Sequence, residues 1–202
     1  EEEPERAAAE RLAGEDLRGQ AAVLQVLNEG MQSRGGMLPE QIRDWAVDVA
    51  GKLIATKQPQ AAGDGIALAR GMKLEPLVEP LTRVAAGELG LGGQRADAVS
   101  ALVAIEPAKH VSLLSKLLGE ASEPMPLRQH IANSLGQIQQ PAAHEALVTQ
   151  LRTSPEELAV HIAAALATSR AGAEQLLAEV AAGKASARLL QNPLVNGKLG
   201  AT

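Results

Sequence analysis

The sequence predicts an all-α chain, an α-α superhelix in which antiparallel helix pairs stack as a right-handed solenoid. Three observations predict it. A helical phrase, Leu127 to Ile138, is followed by Pro141 and a second apolar helix from His144 to Leu151, and its wording recurs from Gln94 to Ile105 and from Leu158 to Ser169. The apolar registers also repeat: Ile66, Ala69 and Met72 precede Val99, Leu102 and Ile105 by 33 residues, as Val78, Leu81 and Val84 precede Val111, Leu114 and Leu117. Leu102, Leu135 and Leu166 continue the series with offsets that drift as loop lengths vary. Finally, Pro and Gly fall between the phrases, where helix pairs must turn. Self-similarity at this period is the signature of stacked helix pairs.

The elements follow in order. Residues 1–15, charged and Ala-rich, read as a solvated helix or a frayed lead-in. Asp16 is placed as an N-cap, after which Leu17, Leu24, Leu27 and Met31 share one helical face until Arg34-Gly35-Gly36 ends it. A second helix begins at Pro39 and carries Ile42, Trp45, Ala46, Val49, Leu53 and Ile54 at helical spacing. The repeat domain is expected over 16–185, with units at about 16–58, 59–92, 93–125, 126–154 and 155–185. Residues 186–202 are expected to be a terminal cap or linker. Pro107, Pro141 and Pro155 are each expected to start a helix, where a missing N–H costs little. Ser154-Pro155-Glu156-Glu157 reads as an N-cap serine with a glutamate placed to close a capping box.

Composition narrows the chemistry. Of 202 residues 46% are apolar, yet Phe and Tyr are absent and Trp occurs once, so Ala, Leu, Val and Ile must build the core through close helix approach. A net charge of −5, with 19 basic residues spread among 24 acidic ones, argues against a nucleic-acid partner, and the missing aromatics remove stacking platforms for single strands. Without cysteine this segment has no disulfide, thiolate metal site, iron–sulfur cluster or covalent c-type haem. No apolar run is long enough to span a bilayer. The start at Glu1, without an initiator Met, reads as a processed chain or an excised segment.

The four histidines form two repeat-equivalent pairs: His110 and His144 stand three residues after a proline, and His130 and His161 each precede a core Ile. His130 and His161 on neighbouring helices are a conceivable metal pair, with Asp97 one unit earlier, but stacked helices lie about 8–10 Å apart and the pair needs further ligands. Repeat phase explains them better, and no metal or cofactor is expected. The run Gly87 to Gly93 lacks the strand and the Lys-Ser or Lys-Thr of a phosphate loop and reads as a connector. Arg95 and Arg128 share a repeat position at a helix start, from which an arginine reaches acceptors on a neighbouring unit. No catalytic triad, paired-carboxylate motif or cysteine nucleophile stands out. Trp45 reads as core, and Met31, Met37, Met72 and Met125 as gap fillers.

The phrase Leu127-Arg128-x-x-Ile131-Ala132-x-x-Leu135-Gly136-x-Ile138-x-x-Pro141-Ala142, continued by Ala146-Leu147-x-x-x-Leu151, resembles the HEAT repeat, particularly the short bacterial kind also found in phycobilin-lyase-like proteins. The helix Val23 to Gly30 before the repeats and the tail Leu176 to Leu190 after them are also similar to the HEAT region of planctomycete-type haem-binding dehydrogenase-like proteins. That narrower resemblance implies a flanking propeller and cytochrome c domain, and a periplasmic or extracytoplasmic setting; otherwise a cytoplasmic one is expected. Neither flanking domain lies in these residues, and the haem-attachment motif is absent, so no redox role passes to any residue here.

The expected function is therefore a non-enzymatic scaffold for protein–protein or interdomain interaction, with a protein or neighbouring domains of a parent chain as partner and neither nucleic acid nor membrane insertion. Arg95, Asp97, Ser100, Arg128, His130, Asn133, Glu157 and His161 form the candidate interaction surface. The alternatives are a structural module of a larger haem-containing dehydrogenase-like protein, or a lyase-like HEAT enzyme, against which the lack of aromatics argues. Drifting offsets argue against a designed repeat.

Overall fold

The computed structural model describes residues 2–56 and 58–200, with side chains from residue 16 onward. It is all-α, and among the described residues there is no strand. Among the described residues eleven α-helices follow in order: α1 (Glu2–Ser33), α2 (Glu40–Ala55), α3 (Pro59–Met72), α4 (Val78–Ala85), α5 (Arg95–Ile105), α6 (Val111–Gly119), α7 (Met125–Gln137), α8 (Pro141–Leu151), α9 (Glu156–Leu166), α10 (Arg170–Ala181) and α11 (Pro193–Leu199). Short 3-10 turns at Glu75–Leu77, Gly92–Gln94, Pro107–His110 and Ala187–Gln191 lead into the helices that follow them.

The chain groups into two compact units, Glu1–Ile105 and Glu106–Thr202. In the first, α1, α3 and α5 pack side by side, with α2 against α1 and α3 and α4 against α5. In the second, α7, α9 and α11 form one layer, and α6, α8 and α10 form another that packs on it. Each unit thus buries one apolar stripe per helix between two layers. The repeated leucines are the centre of this packing: Leu102, Leu135 and Leu166 are all fully buried.

With Trp45 the single aromatic, the helices close up on one another through small residues. Gly136 on α7 faces α9 so tightly that a Cβ there would stand 2.8 Å from the Ala165 carbonyl oxygen, and Gly65 on α3 meets Ala50 of α2 in the same way. At α1 the glycine stop works through geometry only glycine adopts easily. Gly35 has φ +68°, and the Gly36 N–H folds back to the Met31 carbonyl.

Several expectations change. Asp16 does not cap a helix, because α1 runs unbroken from Glu2 and the Asp16 carboxylate instead accepts a bond from Gln20 one turn on. Of the face assigned to α1, Leu24 is buried but Leu27 is exposed, as are Val23 and Val26 beside it. Met37 is 91% exposed and fills no gap, whereas Met72 is buried. Trp45 is only half-buried, its indole N–H donating to Gln20 Oε1 at 3.0 Å. The C-terminal segment, expected as a cap or linker, carries the 3-10 turn Ala187–Gln191 and α11, with Leu189 and Val195 buried within the second unit. No helix of the described residues is long and apolar enough to cross a membrane.

Candidate functional site

The two repeat-equivalent arginines are structural. Arg95 Nε donates to the Ala85 carbonyl at 2.9 Å, and Arg128 Nε donates to the Leu118 carbonyl at 2.8 Å, each reaching ten residues back to the end of the preceding helix. The last carbonyls of a helix have no partner within it and carry its partial negative charge, so a guanidinium there satisfies both needs. Gly87 leaves room for the first of these contacts, since a Cβ on it would meet the Arg95 guanidinium carbon at 3.3 Å. Arg128 is 7% exposed, and it therefore drops out of the predicted interaction surface; Arg95 is half-buried and engaged in the same way. Each Nε–H thus ties the start of one helix to the end of the one before it.

The other predicted residues divide between the units. Asp97 is exposed and Ser100 half-buried on α5 of the first. In the second, Asn133 and Glu157 are exposed, His130 and His161 half-buried, and Gln129 Nε2 donates to Glu157 Oε1 at 2.9 Å, tying the starts of α7 and α9 together. Among the described residues no three His, Asp or Glu side chains converge as metal ligands would.

The remaining histidines are core groups. His144 Nε2 lies 3.1 Å from Ser169 Oγ, and that hydroxyl accepts the Gly172 N–H as the N-cap of α10. His110 holds the equivalent position before α6, and its Nε2 is buried without a partner. Burial is the main cause lowering the pKa of both rings below 6.5; at His110 Glu106 works against it and Lys109 with it.

The capping box expected at Ser154 does not form. Helix α9 begins one residue later, with Pro155 in the cap position and no side-chain cap. Glu157 is engaged by Gln129, and Ser154 Oγ is buried without a hydrogen-bond partner. Beside it opens a cavity of about 420 Å³, walled by Leu151, Ala159, Val160 and Leu189, with Lys184 and Arg188 among its polar lining. On the same wall Arg152 makes a bidentate pair with Glu179, Nε to Oε2 at 2.6 Å and Nη2 to Oε1 at 2.7 Å. This bond holds the Glu179 carboxyl below, and the Arg152 guanidinium above, their ordinary values.

The cavity stands where the arginine pattern breaks. Helices α7 and α9 both start after a proline cap, and both bury a leucine at their third position, Leu127 and Leu158. At the fourth position α7 has Arg128 and α9 has Ala159. The signal in the sequence is this alanine, which stands where Arg95 and Arg128 stand in the preceding phrases.

Comparison of the chain with protein-family models, with curated proteins and with solved structures finds no match.

Proposed function

We propose that this chain is a non-enzymatic scaffold of HEAT-like repeats, stacked as a solenoid, that serves protein–protein or interdomain interaction. The observation that carries the reading is the arginine-to-carbonyl bond made with the same ten-residue reach in two successive helix pairs, Arg95 to Ala85 and Arg128 to Leu118. A bond repeated in phase with the sequence repeat is what a nearest-neighbour array needs, since each unit is held mainly by the one beside it. With the arginines assigned to that task, the residues proposed to face a partner are His130, Asn133, Glu157 and His161 in the second unit and, separately, Asp97 and Ser100 in the first.

The test is a binding measurement against a partner that copurifies with the native parent protein. Asn133→Ala combined with His130→Ala leaves Arg128 in place and is expected to weaken the complex at least tenfold, with the melting temperature little changed. Unchanged affinity would remove this face from the proposal.

A further inference from the structure

We propose that the cavity at the junction of α8 and α9 is a binding site for an organic monocarboxylate, either a small free acid or the C-terminal carboxylate of a peptide. The proposal rests on the cavity itself and not on the scaffold reading, because every residue it uses lies in the second unit.

The shape comes from a deletion in the repeat. At Arg128 a guanidinium fills the space between the end of one helix and the start of the next. At Ala159 the same position holds a methyl group, and about 420 Å³ is left open, within the range of small-molecule sites. Leu151, Ala159, Val160 and Leu189 give the space an apolar wall suited to an organic tail.

The charge comes from the C-terminal segment. Arg152, Lys184, Arg188 and Glu156 line the cavity, and Glu179 neutralises Arg152, which leaves an excess of one positive charge among these residues. Among the described residues no carboxylate pairs with Arg188. An excess of one suits a monoanion; a phosphate dianion would have to lie beside Glu156 with less compensation.

Two unmet hydrogen-bonding groups complete the site. Helix α9 has no side-chain cap, so its first N–H groups stay available to an anion. Ser154, on the cavity lining, has its Oγ buried without a partner, a hydroxyl donor that the proposed carboxylate would satisfy. A carboxylate held by Arg188, Lys184, the α9 N–H groups and Ser154 answers all of these with one ligand. Glu156 is then placed to accept an N–H from the ligand's neighbouring atoms.

The experiment titrates the full chain with acetate, inorganic phosphate, and an N-acetylated tripeptide ending in leucine with its C-terminus free or amidated, following backbone amide shifts of Ser154, Glu156 and Leu189. Saturable shifts with the free-acid peptide or acetate, absent with the amidated peptide, are expected. Free-acid peptide binding at least tenfold tighter than acetate identifies a peptide terminus, and comparable affinities identify a small acid. Lys184→Gln with Arg188→Gln, both on exposed side chains, should weaken binding at least tenfold. Ala159→Arg should abolish it by restoring the internal guanidinium, with the melting temperature kept or raised. The proposal is overturned if no carboxylate shifts these amides at millimolar concentration, if the double variant binds as the parent does, if folded Ala159→Arg retains binding, or if phosphate binds more tightly than either carboxylate.

Discussion

Helices α7 and α9 begin alike and end up with different tasks. Each follows a proline cap, buries a leucine at its third position and carries a half-buried histidine at its sixth, His130 and His161. One has Arg128 at the fourth position and closes the gap to the preceding helix; the other has Ala159 and leaves a lined cavity. The informative position is therefore the one that departs from the recurring sequence phrase, because matching positions are already explained by packing. The difference also separates two kinds of serine. Ser169 caps α10 through the Gly172 N–H, while Ser154, ahead of α9, caps nothing.

The largest effect should come from turning α7 into α9. Arg128→Ala removes a buried charge-assisted hydrogen bond and opens a gap, a loss of about 3 kcal/mol in denaturant unfolding. Arg95→Ala, at a half-buried site, should lose about 1 kcal/mol. Equal losses would mean that burial does not set the strength of this cap.

Next comes the contact that holds α7 on α9. Gly136→Ala places a methyl 2.8 Å from the Ala165 carbonyl oxygen and should cost about 2 kcal/mol through overpacking, measured the same way. A neutral result would show that the two helices shift apart freely.

The serines make a finer comparison. Ser169→Ala should cost about 1 kcal/mol as a lost N-cap. Ser154→Ala should change stability by less than about 0.5 kcal/mol, since its hydroxyl makes no bond to lose.

The smallest expected effect is a slope with pH. His110 and His144 have folded-state pKa values lowered by burial, so below 6.5 the unfolded chain binds more protons than the folded one. Stability should be fully present above that pH and should erode as pH falls from 6.5 toward the lowered native values. The slope should shrink in His110→Gln, which removes a ring whose Nε2 has no partner, and unfolding at pH 7 and pH 5.5 measures it.

Much of the fold was legible because it rests on periodicity. The phrase from Leu127 to Ile138 predicted helix α7, and the register of Leu102, Leu135 and Leu166 predicted three buried positions, since a helix face repeats along the chain whatever its neighbours are. Cap placement was less legible. Ser154 and Asp16 both have the right residue type for an N-cap, but a cap depends on where the helix starts, and helix α1 runs through Asp16 while α9 starts after Pro155. The task of the arginines was legible only in part: the shared position of Arg95 and Arg128 was visible, and the carbonyls they reach were not.

The sequence by itself determined the helical class, the buried positions Leu102, Leu135 and Leu166 and the equivalence of positions between the recurring phrases, because these depend on periodicity along one chain. Only the tertiary structure decided which equivalent positions are engaged. A guanidinium ten residues from a carbonyl becomes a cap when two helices bring them within 2.9 Å, and an alanine at the equivalent place becomes the wall of a cavity when Lys184 and Arg188 fold back beside it. Those distances are set by packing across the chain, which no local pattern encodes.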